Sequence, residues 1–116
     1  MKIQKFEDII AWQKSQDLAV EIYKTFGVLK DYSFKDQICR ASVSISNNIA
    51  EGFDRSSNAD FSRFLYIALG SCSEVRSMIY LAEKLAYTSH DKKEFFINLT
   101  EEISKIIRGL IKSLPK

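Results

Sequence analysis

The chain is poor in the two residues that most often interrupt regular structure. Its 116 residues include a single proline, Pro115, and four glycines. Folds made of many short strands need frequent turns, which are rich in Gly and Pro. The shortage therefore argues against an all-β fold and favours a few long elements. A chain of this length, 46% hydrophobic, is sized for one domain with one core.

Long apolar runs are missing as well. No run approaches the ~20 residues that are needed to span a bilayer, and residues 1–8 contain no apolar segment of a signal peptide. We therefore expect a cytoplasmic protein without membrane contact. Cys39 and Cys72 lie far apart and form no CxxC motif, so we expect two buried free thiols.

The sequence also lacks the motifs of catalysis and metal binding. His90 is the only histidine, which excludes the paired Glu-x-x-His motifs of di-iron bundles. P-loop, GxGxxG, GxSxG and HExxH patterns are absent. We expect no enzyme activity, no cofactor and no small-molecule substrate. The net charge of +2 indicates no strong field for nucleic acid or membrane.

Apolar residues recur at steps of three and four in four segments, as in amphipathic helices. These predicted helices span about residues 7–26, 34–51, 58–86 and 89–114. Short connections make consecutive helices antiparallel, which predicts an all-α, up-down-up-down four-helix bundle in one domain over residues 1–116. The core positions predicted for the first helix are Ile9, Trp12, Ala19, Tyr23 and Phe26, with Ile10 and Ile22 beside them.

Three of the predicted helices open with the same pattern, a hydroxyl residue followed three positions later by Asp. The pattern begins at Ser33, Ser57 and Thr88. A hydroxyl at this position accepts hydrogen bonds from the first turn, and the acid faces the positive end of the helix dipole. We therefore predict these three residues as N-caps.

The second helix contains a polar stripe at steps of three and four. It consists of Arg40, Ser44, Asn47 or Asn48, and Glu51. One interpretation is a recognition surface. The other, which we favour, is a structural seam where a neighbouring helix approaches closely and Arg40 and Glu51 have internal partners.

Gly70 lies in the interior of the third predicted helix, where Gly costs about 1 kcal/mol relative to Ala. A close crossing against the small residues of the second helix would explain its presence. A kink of the third helix is the alternative.

Two groups of basic residues are candidates for nucleic-acid contact. Lys105, Arg108 and Lys112 form a stripe on the fourth helix that could follow phosphates. Cations near a helix C-terminus are also stabilised by the dipole without any ligand, and we favour that interpretation. Arg55 and Arg63 would extend the basic surface.

Aromatic residues of the third helix and the turn after it could stack on bases, but their helical spacing favours core packing. They are Phe61, Phe64, Tyr66, Tyr80 and Tyr87.

Three stretches of the chain carry a family resemblance. They are FEDI with WQK within residues 6–14, QICRASVSISNNIAEG at 37–52 and FSRFLYIALGSCSE at 61–74. Together they resemble the bacterial four-helix-bundle proteins encoded within intervening sequences of 23S ribosomal RNA, over nearly the whole chain. Cys39 departs from the family pattern, which commonly has a basic or aliphatic residue at that position.

This resemblance implies a left-handed bundle that assembles as a homopentamer, and no enzymatic activity is established for the family. The family is also similar to the accessory protein of diversity-generating retroelements, a basic pentamer that binds a reverse transcriptase and nucleic acid. Two functional hypotheses follow. One is an oligomeric binding module for RNA or an RNA-bound protein. The other is a protein–protein scaffold without nucleic-acid contact.

Overall fold

A computed structural model describes residues 3–115 of the chain. A single 3-10 turn, Phe6–Asp8, precedes four helices, and no strand occurs within these residues. The helices are α1 (Ile10–Phe26), α2 (Tyr32–Phe53), α3 (Asn58–Lys84) and α4 (His90–Ser113). The all-α prediction is confirmed. The helices form an elongated bundle of 44 × 23 × 19 Å.

Hydrogen bonds and ion pairs between the helices show their relative directions. Along α2, Gln37 and then Ser44 contact Glu74 and then Ser71 of α3, so these two helices run in opposite directions. The same reversal relates α1 to α2 and α3 to α4. For α1 and α2 the pairs are Gln16–Ser46 and Phe26–Phe34. For α3 and α4 they are Arg76–Glu101 and Glu83–Lys93. The left-handed turn of the bundle stays a prediction.

The first helix begins later than predicted, and its predicted core is right in part: Ile9, Ile22 and Phe26 are buried, whereas Ile10 is 51% exposed. Ile9 has an extended backbone (φ −79°, ψ 119°), which separates the 3-10 turn from α1. The buried residues of α1 are Ala11, Ser15, Leu18, Ile22 and Phe26. Tyr23, predicted in the core, is 52% exposed. The sequence pattern did not reveal this stripe because it includes the polar Ser15. The Ser15 hydroxyl can be buried because it donates a hydrogen bond to the Ala11 carbonyl at 2.6 Å.

The N-cap of α3 is confirmed and that of α2 is not. Ser57 Oγ accepts a hydrogen bond from the Asp60 amide at 3.1 Å. At α2 the cap is Asp31, whose Oδ1 accepts from the Phe34 amide at 3.1 Å. The helix therefore starts two residues before the predicted boundary and includes Ser33.

The N-cap of α4 is displaced by one residue. Ser89, not Thr88, accepts from the Lys92 amide, at 3.1 Å. The Thr88 hydroxyl is buried and has no hydrogen-bond partner within the described part of the chain. The sequence has two adjacent hydroxyl residues here, and the second one is the cap.

The close approach of α2 and α3 occurs at Gly52 and not at Gly70. A Cβ added to Gly52 would lie 2.5 Å from Phe64 Cβ and 3.2 Å from Phe61 Cδ1. Gly70 is exposed, and a Cβ there would have no neighbour within 4 Å. The predicted crossing at Gly70 is therefore wrong. Gly52 allows the backbone of α2 to rest on the aromatic side chains of α3.

Both cysteines are free and buried, as predicted. Burial raises the pKa of each thiol because a thiolate loses its hydration. Cys72 Sγ donates to the Thr100 carbonyl at 3.3 Å and accepts from Ser104 Oγ at the same distance. Among residues 3–115, no helix has the length and apolar character required to cross a membrane.

Candidate nucleic-acid interface

The two ends of the bundle differ, and we name them by their connections. The single-loop end contains the α2–α3 connection, residues 54–57, and the last turns of α4. The double-loop end contains the α1–α2 and α3–α4 connections, residues 27–31 and 85–89. Most of the predicted basic candidates lie at or near the single-loop end.

Arg55 and Arg63 share one aromatic ring at the single-loop end. Their guanidinium carbons lie 4.8 Å and 4.7 Å from the centroid of Phe64, within the range of cation–π attraction. The nearest carboxylates, Glu51 and Asp60, stand at 3.8 Å and 3.6 Å. Both distances exceed hydrogen-bonding range, so the guanidinium N–H groups are not occupied by these acids.

A groove runs between α3 and α4 at the same end, and we call it the α3–α4 groove. Its main part has a volume of about 690 Å³ and includes Tyr66 and Lys112 in its lining. An adjoining depression of about 420 Å³ adds Arg108 and Gly109. The other side chains of the main part are small or apolar: Asn58, Ala59, Ser62, Ile111, Leu114 and Pro115. Two cations and one tyrosine thus border a largely apolar surface.

The basic stripe of α4 has no acidic partners within the chain. Lys105, Arg108 and Lys112 are exposed, and no carboxylate of residues 3–115 lies within 4.0 Å of their terminal nitrogens. The helix dipole acts only over the last turn, which contains Lys112. It therefore does not account for Lys105 and Arg108.

The polar stripe of α2 divides into an internal and an external part. Ser44 Oγ lies 2.9 Å from Ser71 Oγ of α3, and Asn48 Nδ2 donates to the Ser44 carbonyl and hydroxyl at 2.8 Å and 2.9 Å. Ser44 therefore forms a polar seam with α3, and Asn48 supports Ser44 from within α2. Asn47 is exposed.

The two charged members of the stripe were expected to have internal partners, and this is wrong for the single chain. Arg40 and Glu51 are both exposed. Glu51 faces Arg55 one turn later on the same helix. Arg40 borders a shallow groove between α2 and α3, with Asp36 and Glu74 in the same lining. The long side chains of Arg40 and Glu51 extend past the small serines of the stripe and reach solvent.

The interpretation of the aromatic residues as core was right for only some of them. Phe61 and Phe64 are buried, at 8% and 7% exposure. Tyr66 and Tyr80 are exposed to 59% and 47%. Tyr66 directly follows the buried Leu65, so it is rotated by about 100° from the core stripe. The position of Tyr66 within the helical period, and not its residue type, was the signal that could have predicted its exposure.

The residues described do not bring together a metal-binding cluster: no group of three or more His, Cys, Asp or Glu is arranged to hold an ion within 3–115. What the geometry provides is a surface of cations and aromatic rings. Such a surface can bind phosphates by charge and bases by stacking.

The fold and its surface define a small four-helix-bundle protein. Residues 7–109 match the family described as 23S rRNA-intervening sequence protein, and the chain belongs to that family. A crystal structure of a protein with unknown function from the S23 ribosomal protein family of Bacteroides thetaiotaomicron is similar to it. That similarity has a TM-score of 0.83 at 30% identity and covers 90% of this chain and 96% of the other. No curated protein sequence matches the chain.

Proposed function

We propose that this protein is a non-catalytic, oligomeric binding module that associates with RNA through the single-loop end and the basic stripe of α4. The observation that carries the proposal is the stripe of Lys105, Arg108 and Lys112, which lacks acidic partners within residues 3–115. No Asp or Glu follows Glu102 in the sequence. A surface of this kind gains affinity for a polyanion by releasing its counterions.

Assembly into a homo-oligomer is part of the proposal, and a pentamer is the number that the family resemblance implies. The outer side of α3 supports self-association. No charged residue occurs between Arg63 and Glu74, and Ile67 in this stretch is 44% exposed. Five copies would carry a net charge of +10, since each chain carries +2. The two buried thiols are consistent with a cytoplasmic location.

The same uncharged stretch of α3 favours a second candidate function, a protein–protein scaffold or accessory subunit without nucleic-acid contact. Exposed apolar side chains on a helix are typical of surfaces that bind other proteins. Leu81, 46% exposed, adds an apolar side chain on α3 beyond the charged Glu74 and Arg76. In this alternative the cations serve solubility only.

Light scattering in line with gel filtration separates the two candidates. The wild-type chain is measured at low and high salt, with and without total bacterial RNA. We expect an oligomer of 13.3 kDa subunits that retains RNA at low salt and releases it at high salt, because the binding is electrostatic. An oligomer that never retains RNA would leave only the scaffold. A monomer would contradict the assembly.

A charge-matched pair of variants locates the binding surface. The triple variant Lys105→Gln, Arg108→Gln, Lys112→Gln should lose most RNA retention. The control Lys24→Gln, Lys30→Gln, Lys84→Gln removes the same charge from exposed positions near the double-loop end. It should keep most of the retention. An equal loss in both variants would show that net charge alone matters and that the assigned surface is wrong.

A further inference from the structure

We propose that the α3–α4 groove binds an unpaired nucleotide of single-stranded RNA, with the base stacked on Tyr66 and the phosphate held by Arg108 and Lys112. This inference rests on the proposed function, because it names the form of RNA that the surface recognises. It assigns a specific role to Tyr66, a residue that RNA binding by charge alone would not require.

Tyr66 lines the groove with an exposed aromatic side chain. Its side chain is 59% exposed at the border shared by both parts of the groove. Stacking of one base on an aromatic ring is tolerant of sequence because every base has a π face. A base in a duplex is already stacked on its neighbours, so this site fits an unpaired base.

The cations beside Tyr66 are available to a phosphate. Arg108 and Lys112 line the groove and are without a carboxylate within 4.0 Å among residues 3–115. An arginine fork and a lysine ammonium both bind phosphate oxygens, the former in bidentate geometry. A nucleotide offers an anionic phosphate and a flat base, which complement these cations and the ring.

Tyr80 provides an internal comparison, because it lies on the same helix next to a lysine and yet is unsuited to this role. Lys93 Nζ is 5.6 Å from the centroid of the Tyr80 ring. It is held by Glu83 at 3.4 Å and Glu94 at 3.1 Å, with its side chain only 12% exposed. That lysine is therefore neutralised and enclosed. Because the cations beside Tyr66 are not paired with acids in this way, an anionic ligand fits beside Tyr66 better than beside Tyr80.

The size of the groove agrees with a nucleotide. Sites that hold small ligands measure roughly 300–1,000 Å³, and the main part of this groove measures about 690 Å³. The apolar side chains Ile111 and Leu114 provide a surface for the edge of a base or a ribose. Gly109, where an added Cβ would have no neighbour within 4 Å, leaves the adjoining depression open for the strand.

The test is fluorescence anisotropy with labelled oligouridylate, which has little secondary structure, and with a labelled RNA duplex of equal length. The variants are Tyr66→Ala and Tyr66→Phe, with Tyr80→Ala as the matched control. We expect Tyr66→Ala to weaken oligouridylate binding about tenfold, from the loss of one stacked base. Tyr66→Phe and Tyr80→Ala should bind as the wild type does. Duplex binding should be unchanged in all three.

The salt dependence tests the role of the cations. Arg108→Gln and Lys112→Gln should each reduce the slope of log K against log salt for oligouridylate by about 0.7, the value for one contact to a single strand. Circular dichroism and gel filtration on every variant establish that the fold and the subunit number are intact.

The possible results distinguish the inference from the proposed function. If wild-type protein binds oligouridylate and Tyr66→Ala binds equally well, or Tyr80→Ala loses as much, the groove assignment is overturned and RNA association stands. If Tyr66→Ala changes the subunit number, the groove holds a second copy of the chain and the inference is overturned. Failure of the wild type to bind either RNA at low salt overturns both proposals.

Discussion

The two ends of the bundle use the same kinds of charged side chains in different ways. At the double-loop end, acids and their partners meet at hydrogen-bond distance: Glu21 with Lys92 at 3.0 Å and Glu83 with His90 at 2.9 Å. At the single-loop end, Arg55 and Arg63 remain 3.8 Å and 3.6 Å from their acids. Lys105, Arg108 and Lys112 have no acid within 4.0 Å among residues 3–115. One end satisfies its charges within the chain, and the other leaves them available to a partner.

The double-loop end also joins its two connections. Asp31 accepts from the Phe34 amide as the N-cap of α2 and from the Tyr87 hydroxyl at 2.8 Å. Tyr87 in turn packs edge-on against Phe34, with ring centroids 5.2 Å apart. One carboxylate thus caps a helix and ties the α1–α2 connection to the α3–α4 connection. The single-loop end has one connection, and there Gly52 leaves no room for a Cβ against Phe64.

The largest predicted effect tests that packing. Gly52→Ala places a Cβ 2.5 Å from the Cβ of Phe64, which cannot move away by rotating its side chain. The helices must separate, and overpacking of this kind costs about 3 kcal/mol. Urea denaturation should show this decrease in the free energy of unfolding.

Gly70→Ala is the matched control for that substitution. An added Cβ meets nothing within 4 Å there, so replacing a helical Gly should stabilise the protein by about 1 kcal/mol. Equal destabilisation by both substitutions would contradict the assignment of the close approach to Gly52. A change in subunit number with Gly70→Ala would instead place that glycine in an assembly interface.

Acid should weaken the double-loop end selectively. Glu21, Asp31 and Glu83 all have a lowered pKa, and all three belong to that end. The hydrogen bonds that are the main cause come from Lys92 to Glu21, from Tyr87 to Asp31 and from His90 to Glu83. A pKa that is lower in the folded than in the unfolded state gives stabilisation above the unfolded value. That stabilisation is lost as the pH falls through the folded value.

Asp31→Asn tests this linkage. Asn also caps helices well, so the melting temperature at pH 7 should fall less than in Gly52→Ala. The decline in melting temperature below about pH 4, the ordinary pKa of Asp, should be shallower than in the wild type. Tyr87→Phe should act in the same direction because it removes the hydrogen bond that most lowers the pKa of Asp31.

The control for acid sensitivity lies at the other end of the bundle. Ser57→Ala removes the N-cap of α3 and should cost about 1 kcal/mol. Its hydroxyl does not titrate, so the loss should be the same at every pH. If Asp31→Asn retained the full acid sensitivity of the wild type while Ser57→Ala changed it, the comparison between the two ends would be wrong.

The sequence predicted the helices well because an apolar period is a local property. In α2, Ile38, Ala41, Ile45 and Ile49 recur at steps of three and four, and all four are buried. The period failed in α1, where Ser15 occupies a core position. It also located the candidate cations, since exposed charges follow from the same pattern, but it placed Tyr66 in the core.

The differences between the two ends could not be predicted in this way. Asp31 and Tyr87 are 56 positions apart, and nothing in their local sequence shows that their connections meet. Whether a given lysine is neutralised depends on which acids neighbouring helices bring to it. Lys93 and Lys112 look alike in the sequence, and only the packing of α3 against α4 encloses one and leaves the other exposed.

A small predicted effect concerns backbone strain at the double-loop end. Ala86 has φ of 60° and is the one residue other than glycine with positive φ within 3–115. The Tyr87 amide donates to the Ala82 carbonyl at 2.8 Å. This hydrogen bond ends α3 in a motif in which glycine usually occupies the position of Ala86. Ala86→Gly should relieve the strain and stabilise the protein by about 1 kcal/mol.

The opposite result is expected at the other end of the same helix. Ala59 is exposed within the first turn of α3, where the backbone is helical and glycine is unfavourable. Ala59→Gly should therefore lower the free energy of unfolding measured in urea, while Ala86→Gly should raise it. A decrease in both would mean that the left-handed backbone at Ala86 is not strained. An increase for Ala86→Gly alone would show that the double-loop end, although its charges are satisfied, retains strain that one substitution removes.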